Sequence, residues 1–269
     1  MNDIILPEEL RLDDETVLTN VDFIQLLSDL FQMAYKSLET NKAYLNNGKD
    51  SKLLNDNIQY ILQTNVLVNK IGGRLRHMDE AIIFIRDFYD RDFYDKRHIS
   101  YVDFAEYHTD MFNSNVSTLK DLCHKLILNI YQKDVNYYNW KPTKNCLQEK
   151  ANKALLDLFE EAKPLFSYVI DNRNSAEHDG KSDIKKLFDL TFIESMRLFS
   201  KKNPNLDHDL VERMSVNLRL TKGWDHLKEL VSIRNNLLRF LCRYYHCLYQ
   251  PFYDTVMSQK EPDMNSEKE

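Results

Sequence analysis

The sequence predicts an all-α protein, an up-and-down helical bundle, and three of its features lead there. Only 5 glycines and 6 prolines interrupt 269 residues, and these are the residue types that a helix interior tolerates least. The intervals between them are filled with Leu, Lys, Glu, Asn and Asp. Along those intervals apolar residues recur every three or four positions, which is the period of one helix face and not the alternation of a strand.

After an acidic lead over residues 1–17, Phe23, Leu26, Leu27, Leu30, Phe31 and Ala34 fall on one stripe. Thr19 or Asn20 is placed to cap the first turn of this helix, which reaches Thr40. Asn46-Asn47-Gly48-Lys49-Asp50 is turn chemistry. Leu53, Leu54, Ile58, Ile61, Leu62 and Val66 define a second helix, expected to stop before Gly72-Gly73 and to pair with the first as an antiparallel hairpin. His77 to Tyr94 reads as a third, and it contains a tandem duplication, Arg86 to Asp90 repeated as Arg91 to Asp95. A five-residue period matches neither a helical repeat module nor a heptad, so an amphipathic helix with aromatic contacts is the expectation.

Tyr101 to Gln132 forms the fourth helix, with Phe104, His108, Met111, Leu119, Leu122 and Leu126 on one stripe and a weak middle at Asn113 to Ser117. Asn136 to Pro142 breaks it, and a fifth runs from Thr143 to Glu161. Pro164 either kinks that helix or occupies the first turn of the next. Leu165, Phe166, Val169 and Ile170 then mark a helix that runs out at Gly180. Ile184 to Phe199, Leu206 to Arg219 and Asp225 to Asp254 complete the series, with Pro251 expected to bend or end the last one. In domain terms, residues 18–200 make the bundle, 201–257 add C-terminal helices packed on it, and 258–269 form a polar, disordered tail.

Composition narrows the function. The first sixteen residues hold Asp3, Glu8, Glu9, Asp13, Asp14 and Glu15 and lack the pattern of a secretory signal. No run approaches the roughly 18 apolar residues of a spanning helix. A cytoplasmic protein without membrane contact is expected. Cys123, Cys146, Cys242 and Cys247 form no Cys-x-x-Cys pair, so reduced, mostly buried thiols are the expectation. The formal charge of −6 argues against a general nucleic-acid coat protein, yet residues 181–243 hold 13 basic against 8 acidic residues, a local net of +5.

The stretch with the most chemistry is Arg173-Asn174-Ser175-Ala176-Glu177-His178, where the helix approaching Gly180 ends. Asn174 and His178 are four apart and share a face, whereas Arg173 lies about 140° around an ideal helix from His178. The negative end of the helix dipole keeps Arg173 charged and biases His178 toward its protonated form. RNA cleavage through the 2′-hydroxyl needs a proton acceptor, a proton donor for the departing 5′-oxygen and positive charge beside the phosphorane-like transition state. His and Arg supply those roles. The bland alternative is a C-terminal cap, in which both cations bond the last carbonyls and Glu177.

These residues resemble the signature of the HEPN superfamily of helical proteins, Arg followed after four to six residues by His, often with Asn next to the Arg. Arg173, Asn174 and His178 match it one for one, and the similarity extends to the long helix that precedes the motif helix. The resemblance implies an HEPN-like four-helix core with additional N- and C-terminal helices and a homodimer with a composite cleft. It also implies a metal-independent endoribonuclease of a toxin or defence system, with His178 as general acid or base. Arg173 would stabilise transition-state charge, and Asn174 would orient the phosphate or the imidazole. Other members of the superfamily are catalytically silent, which leaves a non-catalytic nucleotide- or RNA-binding or protein-interaction module as the alternative. An antitoxin or regulatory partner is implied as well. The Tyr found two residues after the His in members silenced by nucleotidyl transfer is Gly180 here, so a nucleotidyltransferase antitoxin is not.

Elsewhere Arg239, Arg243 and His246 share a helix face, either as a solvated charged stripe or as an RNA-binding surface that tracks phosphates. Cys242 and His246 have metal-ligand spacing, but a second pair of ligands is missing, so no metal is expected. Asp87, Asp90, Asp92, Asp95 and Asp103 alternate with Arg and Lys and read as ion pairs. No phosphate-binding loop, dinucleotide fingerprint or nucleophile elbow occurs, and no cofactor is expected.

Overall fold

The computed structural model describes residues 8–40, 56–88, 91–133, 139–179, 187–203 and 205–258, with the side chains of 8, 37–40, 91–92 and 172–179 left outside the description. Every regular element among the described residues is helical. Two 3-10 turns, Glu8–Leu10 and Glu15–Asn20, precede α1 (Asp22–Thr40). There follow α2 (Asp56–Arg86), α3 (Arg91–Asp95), α4 (Tyr101–Ile130), α5 (Trp140–Glu149), α6 (Lys153–Asp179), α7 (Phe188–Ser200), α8 (His208–Leu218), a π-helical turn (Arg219–Gly223) and α9 (Trp224–Ser258). The all-α class is therefore observed.

The chain divides into two compact units. One consists of residues 1–13, 74–118 and 164–237. Its core is built by Leu75, Met78 and Ile85 of α2, Ala105, Phe112 and Val116 of α4, Phe166 and Val169 of α6, and Leu227 of α9, all buried. Within it α2 and α4 run antiparallel, with Arg74 donating to Asn115 at 3.1 Å and the Phe84 ring 5.1 Å from His108. Helices α7 and α8 form an antiparallel hairpin. His208 Nδ1 meets Ser200 Oγ at 2.8 Å at one end, and Ser215 donates to Glu194 at the other.

The second unit consists of residues 14–73, 119–163 and 238–269. Phe23 of α1 stacks on Tyr245 at 5.5 Å and meets Phe252 edge-on at 5.2 Å. Tyr244 is fully buried and donates its hydroxyl to the Cys123 carbonyl at 2.7 Å, which satisfies the one polar atom of that ring. Asn129 donates to Thr64 at 3.0 Å.

Several boundaries differ from the sequence expectation. Helix α2 does not stop at Gly72-Gly73. Leu67, Ile71, Leu75 and Met78 continue one buried stripe across the pair, and that burial outweighs the roughly 1 kcal/mol each glycine costs in a helix interior. The span expected as a third helix is therefore the end of α2, a break, and the short α3. The weak middle of α4 is helical because Phe112, Val116 and Leu119 bury one stripe through it, while Asn115 donates to the Met111 carbonyl and accepts from Arg74. The expected fifth helix is two elements. Asn139 caps α5, Ala151 takes a left-handed backbone (φ 52°), and Asn152 accepts from Leu155 N–H to start α6. Helix α6 runs on through Pro164, and α9 through Pro251 to Ser258.

The acidic lead is structured from Glu8. Arg234 donates to the Asp13 carbonyl and Asn235 to that of Arg11 (3.1 Å), while the Asp13 amide donates to Asn235 Oδ1 (3.0 Å). No break separates α8 from α9. The π turn bridges them, and Gly223 packs closely there, since a Cβ at that position would lie 2.8 Å from the Tyr101 hydroxyl. The turn at 46–50, the chain around Gly180 and the tail after Ser258 lie outside the described residues.

Candidate functional site

Helix α6 runs from its Asn152 cap to Asp179, so the backbone of Arg173, Asn174 and His178 is helical and belongs to the last two turns. Their side chains lie outside the described residues. What the backbone fixes is the placement. Asn174 and His178 are one turn apart on one face, and Arg173 is displaced by about 140° and roughly 7.5 Å along the axis from His178. The helix is anchored upstream within its unit by Phe166 and Val169 in the core and by Tyr168, whose hydroxyl donates to Glu229 of α9. The terminal carbonyls behind the motif supply the negative end of a 27-residue helix, an environment that favours cationic side chains.

Arg239 and Arg243 belong to the other unit. Arg243 is exposed, and both of its terminal nitrogens are engaged by Glu161 of α6 at 2.8 and 2.7 Å, a fork-to-carboxylate pair. Each group holds the other charged: the hydrogen bond from Arg243 lowers the Glu161 pKa, and Glu161 raises that of Arg243. A phosphate reaching this stripe meets a cation already neutralised by its neighbour.

No protein-family model matches the chain, nor does any curated protein or solved structure.

Three polar constellations escaped the sequence reading. In the first unit Arg197, 1% exposed, forms two hydrogen bonds to Asp95 (2.6 and 2.8 Å) and one to Glu194 (3.0 Å), while Lys201 also reaches Asp95 at 2.6 Å. The Arg197 hydrogen bonds, with help from Lys201, hold the Asp95 carboxyl far below the ordinary carboxylate range. The signal was present in the sequence: Leu190, Ile193, Arg197 and Ser200 continue one buried stripe, and a charge in such a stripe must have a partner. The same unit holds Arg234, bonded to both carboxylate oxygens of Asp79 at 2.6 and 2.8 Å. It also holds His226, whose ring meets Thr109 at 2.8 Å. Thr109 spends its proton on the Ala105 carbonyl, so His226 Nε2 is the donor and its tautomer is set. These groups are locked in pairs and serve the fold.

In the second unit His124 is 1% exposed, stacked 4.9 Å from Phe159 and 6.0 Å from Trp140, with neither ring nitrogen hydrogen-bonded. Burial, with the nearby Lys120 charge adding to it, brings its pKa down to about 4. It is a neutral imidazole in an aromatic slot. An open cleft of about 790 Å³ in this unit is lined by Tyr131, Lys150, Asn152, Lys153, Cys247 and Asp254, among others. Burial raises the Cys247 pKa, so the thiol stays protonated and is a poor nucleophile. Among the described residues no three His, Cys, Asp or Glu side chains converge as metal ligands, and no helix is long and apolar enough to cross a membrane.

Proposed function

We propose that this protein is an HEPN-type, metal-independent endoribonuclease of a toxin or defence system, working in the cytoplasm. The observation that supports it is the Arg173-Asn174-x-x-x-His178 spacing on the closing turns of a long helix in an all-helical chain. An HEPN-like four-helix core is part of the same proposal. His178 takes the proton from a ribose 2′-oxygen, which attacks the adjacent phosphorus. The P–O5′ bond breaks, and the 5′-oxygen leaves with a proton from an imidazolium. The products are a 2′,3′-cyclic phosphate and a 5′-hydroxyl. Arg173 neutralises the charge that grows on the phosphorane oxygens, and Asn174 orients the phosphate or the imidazole. One helix end carries one His. Two copies paired about a two-fold axis supply both acid and base in a composite cleft, which is why a homodimer belongs to this reading. A partner antitoxin or regulatory protein would restrain the activity.

The second reading is a non-catalytic HEPN-like binding or protein-interaction module, and one observation favours its protein-interaction form. The Glu161 carboxylate already occupies Arg243, the residue expected to track phosphates. Incubating the purified protein with a mixed RNA pool in EDTA separates the two. Cleavage leaving cyclic-phosphate ends supports the enzyme, retention of intact RNA supports the binder, and neither outcome leaves a protein-interaction role.

A further inference from the structure

Helix α7 turns its wrong face outward. Leu190, Ile193, Glu194, Arg197 and Ser200 are buried in its unit. The opposite side shows Phe188, Phe192 and Phe199 at 74, 64 and 60% exposure. With Ser195, also exposed, these residues are spaced four, three and four apart, the interval of a coiled-coil seam. On an ideal helix they line a strip about 17 Å long. Asp189 is the only charged residue among the exposed positions of the helix. Single exposed apolar residues are ordinary, but three aligned phenylalanines mark an interface.

We infer that the Phe188–Phe192–Ser195–Phe199 seam of α7 pairs antiparallel with the same seam of a second copy of this chain.

The pattern is self-complementary in that orientation. Phe188 of one copy faces Phe199 of the other at both ends, and at the centre each Phe192 faces the small Ser195 of its mate, so large meets small twice. A parallel arrangement would instead stack Phe192 on Phe192 and leave Ser195 on Ser195. The areas agree as well. At about 200 Å² per whole phenylalanine the three rings expose roughly 400 Å². A stable dimer buries about 800 Å² per partner, a little over half of it apolar. The inference deepens the proposed function, and it rests on that reading only for what the pairing is for: α7 is the next helix after the motif helix, so the seam is the face through which two motif ends would be brought into one assembly.

The full chain, analysed by sedimentation equilibrium, is expected at twice its 32.1 kDa mass. Phe192→Arg is expected at the single mass with unchanged far-ultraviolet circular dichroism. A Phe188→Cys/Phe199→Cys double variant under a mild oxidant gives a covalent dimer, whereas each single variant gives none beyond the wild-type background. This cross-link reads the register without relying on the arginine variant's folding. A monomeric wild type, a Phe192→Arg variant that stays dimeric, or a double variant that does not cross-link overturns the inference. Flotation of a monomeric wild type with phosphatidylserine vesicles, lost in Phe192→Arg, also overturns it and assigns the seam to lipid. None of these readouts uses RNA. An inert dimer would sink the nuclease and keep the seam, and a cleaving dimer that forms no cross-link in the Phe188→Cys/Phe199→Cys variant would do the reverse.

Discussion

The Arg197 guanidinium grips both carboxylate oxygens of Asp95, 102 residues earlier in the chain, at 2.6 and 2.8 Å. The pair joins the second copy of the Arg-Asp-Phe-Tyr-Asp duplication to α7, and Glu194 and Ser215 extend it into α8.

Removing the shared cation leaves two carboxylates to compete for what remains. Arg197→Met is expected to lower stability by about 3 kcal/mol or more, the usual cost of orphaning one side of a buried pair. Chemical denaturation would measure it, and adding Glu194→Gln should recover part of the loss. The sign with pH follows from the depressed Asp95 carboxyl. Its contribution is complete above the ordinary value of 3.8 and is lost as pH falls below that toward the lower folded value.

His124 acts in the same direction, at higher pH. Its folded pKa of about 4 lies below the ordinary 6.5, so the unfolded chain takes up the proton first as pH falls. Stability is full above pH 6.5 and declines down to the folded value, with about 2 kcal/mol already lost at pH 5. In His124→Leu this part of the slope should vanish, as urea midpoints at the two pH values would show. An unchanged slope would place the proton elsewhere.

Gly223 packs closely against Tyr101. Gly223→Ala drives a methyl to 2.8 Å from the phenol oxygen and 3.3 Å from the ring, an overpacking expected to cost about 1–3 kcal/mol. Because the nearest atom is the hydroxyl, Tyr101→Phe in the same chain should relieve much of it. Thermal melts of the two singles and the double form the cycle.

If the stripe on α9 contacts RNA, Glu161 opposes it. Glu161→Gln releases the Arg243 fork and should strengthen RNA retention on filters while steepening its salt dependence. Stability should not change, since the pair is exposed on both sides. Retention equal to wild type would remove Arg243 from the surface.

The helical class was legible because every long element repeats its apolar residues at three- and four-residue spacing. The ends were less so, for identifiable reasons. Gly72-Gly73 looked like a stop, since propensity is local, while the burial of Ile71 and Leu75 that overrides it is tertiary. The α5–α6 break was missed because its left-handed residue is Ala151 and its signal is a single Asn152 cap, with neither Gly nor Pro at the turn. In the candidate site, spacing alone located Arg173, Asn174 and His178. The carboxylate that engages Arg243 lies 82 residues away, and no spacing rule connects the two. Likewise the phenylalanines of α7 are visible in the sequence, but only packing shows which face is left bare.

The central claim is that the closing turns of α6 perform chemistry. RNA incubated in EDTA with the wild-type chain and with His178→Ala, read by the termini of the fragments, tests it most directly. The expected result is cyclic-phosphate ends with the wild type and their loss with the variant, at equal mass and equal circular dichroism. Cleavage by His178→Ala at the wild-type rate would contradict it.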